Sequence, residues 1–181
     1  MTKNITLAVT GSISAYKAAD LTSMLTKAGF NVTVLMTKAA QAFITPLTLQ
    51  VLSKNSVHLD IMREDDVAIV NHIELAKKTN LFLVAPASAN TIAHLAYGFA
   101  DNIVTSVALA LPQTTQKMIA PAMNTKMYTN PITQENIKRL ESIGYQEILP
   151  QSSLLACGDT GIGALADVQD IYTIILDFFE G

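Results

Sequence analysis

Cysteine occurs once in the chain's 181 residues, at Cys157. A lone cysteine excludes a disulfide framework and a zinc site built from several thiolates. Charge is also sparse: Asp, Glu, Lys and Arg together make up 15% of the chain and hydrophobic residues 50%, where ordinary globular chains carry about 25% charged residues. That balance excludes disorder, which needs few apolar residues and much charge. It also leaves little charge to cover a surface, so a homo-oligomer is expected to bury part of it. The net charge of −3 provides no cationic excess for a nucleic-acid backbone. Long apolar runs are missing as well. The first, near the N-terminus, stops at Gly11, too short to span a membrane and without the apolar core and cleavage site of a signal peptide. The expectation is a cytoplasmic protein with no membrane or nucleic-acid partner.

What is present is an alternation of apolar runs and helical periodicities, the pattern of βαβ units around a mostly parallel sheet. Ile5–Val9, Val32–Met36 and Leu81–Ala85 read as buried strands. Weaker runs at Val57–Asp60, Lys117–Ala120 and Gln146–Leu149 read the same way. Ala18, Leu21, Leu25 and Ala28 share one helical face that Gly29 can end in a left-handed cap. Asn130 and Pro131 can start a helix striped by Ile137 and Leu140 and stopped at Gly144. Asp167 can cap a last helix through Val168, Ile171, Ile175 and Phe178. Together these predict one doubly wound, Rossmann/flavodoxin-like α/β domain over residues 1–181. A chain of this length buries roughly 70% of its unfolded surface and needs no covalent staple.

In open parallel sheets, ligands bind beyond the carboxyl ends of the strands. Thr10-Gly11-Ser12-Ile13-Ser14-Ala15 follows the first strand, and its N–H groups and hydroxyls at a helix start suit a phosphate. An ordinary glycine turn with a serine cap would read the same. Neither G-x-G-x-x-G nor G-x-x-x-x-G-K-[ST] occurs, and the second strand ends in Met36-Thr37-Lys38 without an acid for a ribose. A mononucleotide or another phosphate ester remains. Pro86-Ala87-Ser88-Ala89-Asn90-Thr91 forms a second phosphate-suited loop facing the first. His72 opens a helix, whose dipole disfavours the imidazolium; a structural histidine is the alternative. His58 and His94 have no supporting constellation and read as structural. Cys157 sits among glycines in Ala156-Cys157-Gly158-Asp159-Thr160-Gly161-Ile162-Gly163, read as a mobile loop and a poor setting for a buried apolar cysteine. Asn124, after another strand end, offers an amide to a ligand, and Met123 and Met127 beside it read as packing.

Gly11-Ser12-Ile13-Ser14-Ala15-Tyr16-Lys17, His72-Ile73-Glu74-Leu75-Ala76, Pro86-Ala87-Ser88-Ala89-Asn90-Thr91, Pro121-Ala122-Met123-Asn124-Thr125-Lys126-Met127 and Ala156-Cys157-Gly158-Asp159 occur in this order across almost the whole chain. In that order they resemble the homo-oligomeric flavin-containing Cys decarboxylases. Tyr128 departs from the pattern, where the family often has Trp. The resemblance implies FMN held by Gly11, Ser12, Ile13, Thr37, Ser88, Ala89, Asn90 and Thr91, with Ala122 near the ring. It implies a trimer or dodecamer with FMN at a subunit interface, and a small-molecule substrate, 4′-phosphopantothenoylcysteine. In that chemistry the cysteine thiol is oxidised to a thioaldehyde, the carboxylate β to the thiocarbonyl leaves as CO2, and the enethiolate is reduced and protonated. By the same resemblance, His72 is the base, Asn124 binds the carboxylate, and Cys157 donates the last proton from a closing flap. Some family members carry a fused ligase domain, for which 181 residues leave no room, so a stand-alone decarboxylase is expected. The alternatives are a peptidyl-cysteine decarboxylase, a flavin prenyltransferase and a non-catalytic regulatory flavoprotein. The first needs no reducing cysteine flap, the second lacks the His72, Asn124 and Cys157 set, and the third tends to lose a catalytic residue or gain acidic extensions.

Overall fold

The computed structural model describes residues 3–60, 71–154 and 160–181. Six parallel strands form the main sheet: β1 (Asn4–Val9), β2 (Asn31–Met36), β3 (Val57–His58), β4 (Leu81–Ala87), β5 (Gln116–Pro121) and β6 (Tyr145–Glu147). Their order is β3-β2-β1-β4-β5-β6, the doubly wound order whose direction reverses between β1 and β4. An antiparallel pair, β7 (Gln151–Leu154) and β8 (Thr160–Ala164), stands apart from it. The helices are α1 (Lys17–Lys27), α2 (Pro46–Ser53), α3 (Asn71–Lys78), α4 (Ala89–Tyr97), α5 (Ile103–Ala110), α6 (Thr125–Tyr128), α7 (Pro131–Ser142) and α8 (Val168–Glu180).

Strand side chains alternate between the two faces of the sheet, and β1 and β4 are buried on both. Ile5, Leu7, Val9, Leu81 and Leu83 pack with Leu21 and Leu25 of α1, Leu49 of α2, and Ile171 and Ile175 of α8. Ala8, Phe82 and Val84 pack on the opposite face with Ala76 of α3, Ile92 of α4, Val104 and Val107 of α5, and Ile137 and Leu140 of α7. Each fully buried Leu, Ile or Phe contributes about 1.5–3 kcal/mol, so this three-layer sandwich holds the strand ends in fixed register.

The helix boundaries have local causes. Gly29 adopts φ +90 just past α1, where a side chain would be strained. Asn130 and Asp167 accept from the N–H groups of Ile132 and Gln169 to cap α7 and α8. Two helices not read from the sequence have such signals too. Thr45 caps α2 ahead of Pro46, and Asn102 forms a capping box with Thr105 on α5.

Three sequence readings need correction. The β3 strand stops at His58, and β6 spans Tyr145–Glu147 instead of continuing to Leu149; Leu149 turns out to solvent ahead of Pro150, which has no N–H to continue a ladder. The end of the glycine-rich stretch read as a loop, Thr160–Gly163, belongs to strand β8 paired with β7. No helix among the described residues is long and apolar enough to cross a membrane. Several large apolar side chains are exposed, among them Leu47 and Val51 one turn apart on α2, Leu109 on α5 and Ile132 on α7.

Candidate functional site

At the switch point, the ends of β1 and β4 are joined by one side chain. The buried Thr10 hydroxyl donates to the Pro86 carbonyl at 2.7 Å and accepts from the Ser88 N–H at 2.9 Å. Beyond it lies a cavity of about 910 Å³, within the range of small-molecule sites. Its first wall is the turn after β1, where Ser12 Oγ accepts from the Ser14 N–H at 3.3 Å and caps the 3-10 turn Ile13–Tyr16. A β-carbon on Gly11 would lie 2.6 Å from the Ala39 β-carbon, so glycine lets the turn after β1 close against the turn after β2. Across the cleft, Ser88 Oγ accepts from the Thr91 N–H at 3.3 Å and caps α4.

The third wall follows β5. Ala122 donates its N–H to the Ala87 carbonyl at 3.1 Å, and Asn124 Oδ1 accepts from the Lys126 N–H at 2.8 Å to cap α6. Tyr128 ends that turn. Its hydroxyl donates to the Glu147 carboxylate at 3.0 Å, and its carbonyl accepts from Gln134 Nε2 at 2.7 Å. Burial and then the Glu147 charge push the Tyr128 phenol up to about 12. Burial raises the Glu147 carboxyl too, partly offset by the Tyr128 bond. The β7–β8 pair docks on the same wall: Met123 donates its N–H to the Gly163 carbonyl at 2.9 Å.

Gly11, Ser12, Ile13, Thr37, Ser88, Ala89, Asn90, Thr91, Ala122 and Asn124 all line this cavity. His72 does not. It opens α3 at the same end of the sheet, and its Nδ1 is buried with no hydrogen-bond partner among the described residues. Cys157 lies outside the described residues. Met123 packs partly buried on the core, as read, but both it and Met127 also face the cavity. The sequence reading missed His94 and Asp101, which line the cavity together with His94 Nδ1 3.3 Å from Asp101 Oδ1. Seven positions separate them across the end of α4, a spacing with no recognisable signature.

The lining fits a flavin mononucleotide. Backbone N–H groups and hydroxyls of two small-residue turns, with Lys17 and Lys38 nearby, match a phosphate and a polyol, and Ile13, Phe43, Ala122 and Met127 offer apolar surface to a ring. A doubly wound sheet with such a cleft at its switch point, and no dinucleotide fingerprint, defines a flavin-binding class of α/β protein. The chain belongs to the Flavoprotein family, which matches residues 1–180. It is 68% identical over 94% of its length, and 96% of the relative's, to a probable phosphopantothenoylcysteine decarboxylase of Streptococcus mutans serotype c. It is 41% identical to the coenzyme A biosynthesis bifunctional protein CoaBC of Haemophilus influenzae, of whose length the match covers 44%; the chain thus spans less than half of that relative. Among solved structures, a PPC decarboxylase mutant complexed with pantothenoylaminoethenethiol superimposes with TM-score 0.90 at 32% identity over 100% of both chains. The FMN binding protein AtHal3 superimposes with TM-score 0.86 at 33% identity, over 99% of this chain and 98% of that one.

Proposed function

We propose that this chain, with FMN bound, decarboxylates 4′-phosphopantothenoyl-L-cysteine to 4′-phosphopantetheine in coenzyme A biosynthesis. The observation that carries the reading is a single cleft lined by both phosphate-suited turns and by Asn124, in a chain 68% identical to a probable decarboxylase of that substrate. Direct loss of CO2 from an N-acyl cysteine leaves a carbanion with nowhere to delocalise. FMN supplies a two-electron oxidation of the thiol that is returned at the end, so no external oxidant is consumed.

The chain's own residues do the rest. Gly11, Ser12, Ile13, Thr37, Ser88, Ala89, Asn90 and Thr91 would hold the phosphate and polyol of the cofactor, and Ala122 would offer apolar surface to its ring. Asn124 binds and orients the substrate carboxylate. His72 takes the thiol proton during oxidation. Once the carboxylate is β to the thiocarbonyl, CO2 leaves and the electron pair moves to sulfur. Cys157 then gives the carbon its proton as the enethiolate is reduced.

His72 is absent from the lining of the cavity formed by its own chain. A homo-oligomer resolves this, with His72 reaching the cleft of a neighbouring subunit and the cofactor at the interface. The exposed apolar side chains of α2, α5 and α7 support such an assembly. The fold and composition accord with a cytoplasmic enzyme that has no membrane or nucleic-acid partner. The test is direct: purified protein should carry or take up FMN and turn phosphopantothenoylcysteine into equal amounts of CO2 and 4′-phosphopantetheine. Protein that refuses FMN would refute the reading. CO2 release that stops at the enethiol in the wild type would favour a peptidyl-cysteine decarboxylase instead.

A further inference from the structure

Positions 90, 91 and 94 of α4 lie on one helical stripe, and all three line the cavity. His94 is one turn beyond the two residues assigned to the cofactor, and its surroundings fix its ring. Gly98, at φ +70, turns the chain back after α4, so that Phe99 stacks on the imidazole with centroids 4.9 Å apart and planes 23° apart. On the edge of the ring, Asp101 Oδ1 lies 3.3 Å from Nδ1 and also accepts from Asn102 Nδ2 at 3.0 Å and Thr105 Oγ1 at 3.3 Å. Asn102 in turn caps α5. Burial works against the Asp101 charge, but the His94 charge and the hydrogen bonds hold its carboxyl below the usual range. An ionised carboxylate is acceptor-only, so Nδ1 carries the proton and Nε2 is the nitrogen left to bond other groups.

This is more than two helices tied together. A carboxylate orienting an imidazole that lines a ligand cavity is the arrangement by which a histidine presents one nitrogen to a bound molecule. Lys17, Lys38 and His94 are the lining residues able to carry positive charge. Lys17 and Lys38 belong to the β1 and β2 side, next to the Gly11 turn. His94 belongs to the β4 side, past the Ser88 cap, and it is already paired with an anion, which makes it a poor seat for a phosphate.

We propose that His94 is a further cofactor-contacting residue, its Nε2 hydrogen-bonding the non-phosphate part of bound FMN while Asp101 holds the ring in place. The inference rests on FMN occupying this cleft. It assigns Asp101 as a positioning residue that does not itself touch the flavin.

The experiment titrates wild type, His94→Ala, His94→Gln and Asp101→Ala with FMN and with riboflavin, following quenching of flavin fluorescence, and records thermal melts of each protein without flavin. In His94→Ala both flavins should bind about three- to tenfold more weakly, by the same factor, the loss of roughly one hydrogen bond. His94→Gln should recover most of it, and Asp101→Ala should weaken both flavins in the same sense. Unchanged flavin affinity in His94→Ala, alongside a lower melting temperature, would reduce the pair to a tie between α4 and α5. Weaker binding of FMN alone would mean a phosphate contact and overturn the assignment. Should His94→Ala fail to fold, unaltered binding of both flavins in Asp101→Ala would overturn it instead. A wild type that binds neither flavin would instead refute the cofactor reading on which the inference rests.

Discussion

The Tyr128 hydroxyl donates to the Glu147 carboxylate at 3.0 Å, joining the turn that carries Asn124 and Met127 to the end of β6. Tyr128→Phe should cost about 1 kcal/mol, because Glu147 loses an acceptor's partner in a half-buried setting. Urea denaturation measures it. The variant should also bind substrate less well, since α6 loses a tether to the sheet.

The same pair predicts a pH effect. Burial raises Glu147, so the folded chain holds that proton more tightly than the unfolded chain does. Its contribution to stability is therefore fully present below the ordinary value of 4.5 and is lost as pH rises past it through the raised folded value. Glu147→Gln removes that loss while keeping an acceptor for Tyr128. The stability difference between variant and wild type should grow in the variant's favour from about pH 4 to about pH 7. A difference that stays flat over this range would contradict the raised value.

Gly163 has φ +142, and a β-carbon there would run into the Met123 carbonyl. Gly163→Ala should lift the β7–β8 pair off the Asn124 wall, lowering kcat/KM by about tenfold or more, roughly 1.4 kcal/mol. Flavin affinity should stay near that of the wild type, because both phosphate-suited turns are untouched. Stopped turnover together with lost flavin would show a general collapse instead.

His72→Asn and Asn124→Asp should each abolish decarboxylation while FMN still binds. If His72 serves a neighbouring subunit, dissociating and reassociating the two inactive proteins together should restore activity. Mixed oligomers that form but stay inactive would place both residues in one chain's own site.

Cys157→Ser should still release CO2 but stop at the oxidised enethiol, one equivalent per flavin without air and more where O2 reoxidises the reduced flavin, seen by mass spectrometry. A normal yield of 4′-phosphopantetheine from that variant would remove Cys157 from the final protonation.

Elements whose side chains carry a strong local signal are legible in the sequence. The β1, β2 and β4 strands are short runs rich in apolar residues, and the residues after them can be placed at the strand ends by topology alone. That is why the Gly11 and Ser88 turns, far apart in the chain, could be read as two sides of one cleft. The β7–β8 pair is not legible: Gln151-Ser152-Ser153 has no apolar alternation, and the glycines between Thr160 and Ala164 read as a loop, so their strand character comes from pairing with each other. Ile103–Ala110 is apolar on nearly every side, so its helical period is masked and its capping box is the better sign. His94 looked isolated because the turn at Gly98 supplies both its neighbours, Phe99 and Asp101. His72 was legible as a helix opener, but chain position alone could not say whose cavity it serves.

Thr10 is fully buried, and its one hydroxyl both gives and receives across the gap between β1 and β4. The spacing of the two lips of the cleft is therefore set during folding, before any ligand arrives. A flat aromatic guest of the right thickness enters a slot whose ordering entropy has already been spent, whereas a bulkier one would have to break a buried hydrogen bond to get in. Thr10→Val preserves the shape of that side chain but not the clasp, and it would turn a slot of fixed gauge into one that guests of several thicknesses could share.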